Sequence, residues 1–139
     1  MIDIENDVFT IVATALRAQF PGVFVSSEYV ASPAAFPAVT LIESENYVDT
    51  SMSTVHIEDC AIVMYSLSVY SNKTTGKKTE AKKISNFADE EMRKLGFTRI
   101  SRVQVPNLAD ATIYRLESRY EAVVGPGNQP NTFLIYQNT

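Results

Sequence analysis

The chain has 139 residues, enough for one domain with a real core, and is 45% hydrophobic and 20% charged, ordinary values for a globular protein. Its net charge of −4 disfavours sequence-independent binding to duplex phosphate, which relies on Lys and Arg, and no sequence-specific nucleic-acid motif stands out. The single cysteine, Cys60, excludes an intramolecular disulfide and permits a reducing compartment. No early basic run leads into an apolar one, so a signal peptide is not expected, and no apolar run is long enough for a membrane helix.

Asp3, Glu5 and Asp7 crowd the start, where acidic groups favour a helix N-terminus. Ile4, Val8, Ile11, Val12, Ala15 and Leu16 follow at helical spacing, and Phe20-Pro21-Gly22 ends the run, predicting a helix from about Ile4 to Gln19. Val23 to Tyr29 reads as a short strand and Ala31 to Pro37 as a loop. Ala38 to Val48 reads as a strand with Val39, Leu41, Glu43, Glu45 and Tyr47 on one face, apolar at its start and polar at its end. Asp49 to Thr54 is a polar turn. Val55 to Ser71 is a long strand pattern with Ala61, Val63, Tyr65, Leu67 and Val69 on one face. Ser66 and Ser68 are expected to open its other face. The two runs predict a long β-hairpin projecting beyond the core sheet, with residues 48–57 at its tip.

Thr79 to Gly96 is an amphipathic helix: Ala81, Ile84, Phe87, Ala88, Met92 and Leu95 form the apolar stripe, and Lys, Asp, Glu and Arg the polar face. Gly96 sits where a left-handed C-cap is expected. Phe97 to Val105 and Ala111 to Val124 are strands. The second alternates clearly, with Tyr114, Leu116, Ser118, Tyr120, Ala122 and Val124 against Arg115, Glu117, Arg119 and Glu121. Residues 125–139 are a C-terminal arm or a short strand. The order predicts a single α+β domain over 1–139, a mostly antiparallel sheet with both helices packed on it.

No catalytic, metal or cofactor signature emerges. His56 and Cys60 are the sole His and Cys, and on one strand they lie about 13 Å apart, whereas a nucleophile and its base need about 3 Å. Ser71 to Lys78 fails the phosphate-loop pattern at Ser71 and at Lys78. Glu43 and Glu45, with Glu58 and Asp59 on the partner strand, read as a solvated or subunit-contacting acidic face. Lys73, Lys77, Lys78, Lys82 and Lys83 cluster around the second helix start with Glu80 between them. The run reads as a solvated lysine-rich helix start or as a contact with an acidic partner or nucleic acid; lysine there opposes the helix dipole, so helix stability does not explain its placement, which adds weight to the contact reading. The ladder Arg115, Glu117, Arg119, Glu121 reads either as a polar outer face or as an oligomer interface.

The strand YSLSVYSNK, the helix end Lys94-Leu95-Gly96-Phe97 and the strand IYRLESRYEAVV, over Tyr65 to Val124, resemble the tail terminator, or tail completion, proteins of long-tailed bacteriophages and prophages. The first helix and the hairpin match that family in order and length, while the tail GPGNQPNTFLIYQNT departs from its pattern. The resemblance implies a non-enzymatic virion protein that assembles in the host cytoplasm as a homo-oligomeric ring, usually a hexamer. Such a ring sits on the head-proximal end of the tail tube, contacting the tube protein on one side and a head connector or neck protein on the other. It implies no cofactor. The candidate contacts are the five lysines, Glu43, Glu45, Glu58, Asp59, Arg115 and Arg119. Alternatives are a head-closure or neck component of the same virion, or a small ligand-binding regulatory α+β domain.

Overall fold

A computed structural model describes residues 2–30, 33–48, 60–106, 110–126 and 133–136. The elements are α1 (Glu5–Gln19), β1 (Phe24–Ser26), β2 (Ala38–Val48), β3 (Ala61–Ser71), α2 (Lys77–Lys94), β4 (Thr98–Gln104), β5 (Tyr114–Pro126) and β6 (Phe133–Tyr136). The sheet order is β1-β2-β3-β5-β4, with β6 beside the far end of β5. β1 runs parallel to β2 and every other pairing is antiparallel. The expected α+β architecture is present, and the C-terminal segment adds a short strand.

One core joins Val8, Val12 and Leu16 of α1, Ile84, Ala88 and Met92 of α2, and the inward residues of β2, β3 and β5. Both helices therefore cover the same sheet face. β5 shows why its alternation was legible: each of Tyr114, Leu116, Ser118, Tyr120, Ala122 and Val124 is buried, and its charged neighbours are more exposed. β3 carries Ala61, Val63, Tyr65, Leu67 and Val69 inward, as expected. Its other face differs from expectation. Ser68 and Tyr70 are buried, so that face closes toward Ser71 instead of opening.

β2 and β3 do pair as an antiparallel hairpin, but its described part does not project. β3 is paired along Ala61–Ser71 with β5, so Ala61 to Met64 lie within the sheet. Ala61 and Val63 are fully buried. Of the expected tip, 48–57, all but Val48 lie outside the described residues. A second correction concerns register. Glu43 pairs with Tyr65 and Glu45 with Met64, so one extra residue, Ser44, is accommodated in β2 as a bulge. Side chains after it change faces. Glu43 lies on the helix-bearing face with Tyr65, whereas Glu45 lies on the opposite face with Met64.

Gly96 closes α2 as expected. Its φ is +104°, its N–H donates to Arg93 O at 3.0 Å, and Phe97 N–H donates to Met92 O at 3.0 Å, a Schellman ending. Ile135 of β6 lies against it. A Cβ at position 96 would stand 2.9 Å from Ile135 Cγ2 and 3.3 Å from its carbonyl oxygen.

Candidate interaction surfaces

The lysine cluster is built at the joint between β3 and α2. Gly76, at φ +83°, turns the chain into the helix, and Glu80 N–H donates to its carbonyl at 2.9 Å. Ser71 ends β3 and donates its hydroxyl to Glu80 Oε1 at 2.7 Å, which fixes the helix start against the strand. Lys73, Lys78, Lys82 and Lys83 are exposed. Lys77 is not a free contact: it is half-buried, and its Nζ donates to Thr112 O at 3.2 Å, tying the helix to the turn before β5.

The five lysines do not form one patch. Lys73 and Lys83 line a cleft of about 610 Å³ between the end of α1 and the start of α2. Phe20, Pro37 and Ile84 supply its apolar walls, and Glu80 lines it as well. Lys78 and Lys82, one helical turn apart, lie outside that lining. They present charge away from the cleft.

The acidic surface is also differently composed. Glu45 is exposed on the face without helices, and Glu58 and Asp59 lie outside the described residues. Glu43 instead joins the N-terminal segment of α1. Asn46 Nδ2 donates to Ile2 O at 2.7 Å and to Glu43 Oε1 at 3.4 Å, fastening that segment across β2. Burial, and then the negative charges of Glu5 and Asp3, push the Glu43 carboxyl above its ordinary value of 4.5. Asp3, Glu5 and Glu43 are thus the acidic group that the fold assembles. Sequence spacing pointed to Glu43 with Glu45 because it does not register the bulge, and Asp3 and Glu5 are some forty residues away along the chain.

The ladder on β5 is bonded inside the subunit. Glu117 receives Arg119 Nε at 3.3 Å, Arg115 Nη2 at 3.7 Å and the Ser66 hydroxyl at 2.9 Å. Arg115 also lies over the Tyr70 ring, 5.4 Å from its centroid. The ladder's partners on β3 are hydroxyls and a ring, not opposite charges. Of its two arginines Arg119 is the exposed one.

Sequence reasoning missed Asp89, which it placed on the polar face of α2. Asp89 is buried at helical spacing from Ala81 and Ser85, accepts the Tyr120 hydroxyl at 2.9 Å and holds Arg99 at 3.1 Å. That spacing was the available signal, and the charge concealed it.

Cys60 is buried and His56 lies outside the described residues. Among the described residues no group of three or more His, Cys, Asp or Glu side chains is placed to hold a metal ion, and no helix is long and apolar enough to cross a membrane. No family model matches the chain, and no curated protein matches it in sequence.

Proposed function

We propose that this protein is a structural subunit that caps the head-proximal end of a bacteriophage tail tube as a ring, ends tube growth there and presents the surface for head joining. The observation that carries the reading is the separation of two oppositely charged surfaces on one subunit. The lysine-rich entry to α2 follows Ser71 at one end of β3. The Asp3–Glu5–Glu43 group stands opposite Tyr65, six residues and roughly 20 Å along the strand. A ring needs two unlike faces on each subunit, because its contacts are heterologous. The resemblance of Tyr65 to Val124 to tail terminator proteins supports the same reading. In this reading the ring is a hexamer, its partners are the tube protein and a head-side connector or neck protein, and its site is the virion.

The test is to add the purified protein to purified tail tubes and view them by electron microscopy. Density at one end of each tube is expected; bare ends overturn the reading. A second reading, a small ligand-binding domain, is favoured by the cleft at Lys73 and Lys83. It predicts a strict monomer whose melting temperature rises with a small anionic ligand, and that rise is lost in Lys73→Ala/Lys83→Ala.

A further inference from the structure

We infer that two copies of this chain join head to tail through their sheet edges, β4 of one against the outer half of β2 of the next. Among the described residues both edges are open. β4 is paired on one side, to β5, and β2 beyond Thr40 is paired on one side, to β3. Among the described residues nothing pairs with the other side of either stretch. Large apolar side chains are exposed there: Tyr47 and Val48 at 45% and 42% on β2, Ile100 and Val103 at 50% and 54% on β4. The other exposed large apolar residues described are Ile11 and Tyr29, so this exposure concentrates at the two edges.

Strand direction permits the contact. β2 is antiparallel to β3, β3 to β5 and β5 to β4, so β4 runs opposite to β2. A copy placed beside the first in the same orientation therefore meets it with antiparallel strands, and the alternation continues unbroken from subunit to subunit.

Charge selects the partner. Arg99 and Arg102 pair in register with Tyr120 and Ser118, so both project on the helix-bearing face of β4. Glu43 projects on that same face of β2, with Asp3 and Glu5 beside it. Arg99 is held by Asp89 of its own subunit, while Arg102, half-buried, donates to Asn86 Oδ1 at 2.6 Å; joining the edges brings Arg102 of one copy to the acidic group of the next. Bulges at Ser44 and Ile100 interrupt both edges, a device that commonly discourages pairing. Edges built purely to repel, however, carry like charges. These carry opposite ones, which bring the unlike edges together and disfavour β4 on β4 or β2 on β2.

The contact deepens the ring reading, on which its biological use rests, but its test needs no tail tube. With Glu43 opposite Arg102, the two bulges put the exposed Tyr47 opposite the exposed Thr98, so in the Cys60→Ser protein Tyr47→Cys and Thr98→Cys are made separately. With a short bismaleimide the mixture gives cross-linked dimers and each protein alone gives none. Self-linking of either protein alone, or no linking in the mixture at about 1 mM protein, overturns the inference. In light scattering, Arg102→Glu weakens self-association by about tenfold and Arg102→Glu/Glu43→Arg recovers most of it. A double variant no better than the single overturns the charge pairing. Tube-end density that Arg102→Glu leaves unchanged defeats the edge contact and leaves the capping role standing. Head-to-tail cross-links with bare tube ends do the reverse.

Discussion

Tyr65 and Tyr120 stand directly opposite one another across β3 and β5, both fully buried, yet their hydroxyls differ. Tyr120 donates to Asp89, whereas the Tyr65 hydroxyl has no hydrogen-bond partner among the described residues. Burial raises both phenol pKa values, helped by Asp89 at Tyr120 and by Glu43 at Tyr65. Both hydroxyls are protonated at neutral pH, so the difference between them is one of hydrogen bonding. Tyr120→Phe strands a carboxylate that is also held by Arg99, and should cost about 1–3 kcal/mol. Tyr65→Phe removes a buried hydroxyl without a bond to lose and should be neutral or stabilising by up to about 1 kcal/mol. Urea unfolding of the two variants decides it, and equal losses would show that the Asp89 bond contributes nothing.

Asp89 links three elements through one oxygen, since Tyr120 comes from β5 and Arg99 from β4. Asp89→Ala should therefore lose more than Tyr120→Phe, and a double-mutant cycle between them should give a coupling of about 0.5–3 kcal/mol. Additive losses would mean that the two side chains act independently.

Glu43 gives a pH dependence with a definite sign. Its folded-state pKa is raised, by burial first and then by Glu5 and Asp3. A raised carboxyl favours the folded state fully below its unfolded value, and that advantage is lost as pH rises through the folded value. The protein should thus lose stability from this group as pH climbs above about 4.5. Glu43→Gln should melt higher than the parent at pH 7, with the difference shrinking toward pH 4. Measured on dilute protein, a constant difference across that range would remove the titration from the explanation.

Gly96→Ala tests the α2–β4 turn. At φ +104° an alanine is strained, and its Cβ meets Ile135 of β6 at 2.9 Å. The loss should be about 1–3 kcal/mol. Hydrogen exchange should rise at Val123 to Gly125, where β6 pairs, before it rises elsewhere in β5. Uniform exchange along β5 would show that β6 does not depend on this contact.

The strand β5 was legible because its period of two runs unbroken over the whole core contact, and α2 because its apolar residues keep one stripe. β2 was misread for a physical reason. A bulge at Ser44 leaves composition unchanged but exchanges the faces of every residue after it, so Glu43 and Glu45 separated. Spacing alone also gives no measure of pairing partners. The pairing of Ala61 to Met64 with β5, some sixty residues later, is not visible in local spacing, and it is what keeps this end of the β2–β3 pair within the sheet. Asp89 was assigned to solvent by charge, and only its partners Tyr120 and Arg99 account for its burial. The lysine-rich start of α2 was visible as a run, but its division between a cleft side and an outer side depends on where the end of α1 lies.

That division sharpens the choice of variant for testing the capping role we propose. Lys77 bonds to Thr112 O, so reversing it disturbs the fold as well as the charge. Lys78 is exposed in the first turn of α2, where a cation opposes the helix dipole. Lys78→Glu should therefore stabilise the subunit by about 0.3–1 kcal/mol. If the lysines contact an acidic partner, the same substitution weakens that contact, most strongly at low salt. The two effects have opposite signs, so loss of binding cannot be ascribed to unfolding. Lys78→Glu/Lys82→Glu should melt at or above the parent temperature; under the proposed role it should also cap fewer tail tubes than the parent, whose capping should fall as salt is raised. Capping that is unaffected by the double reversal and by salt would remove the lysines from the interface and leave their placement at the helix start without a functional reason.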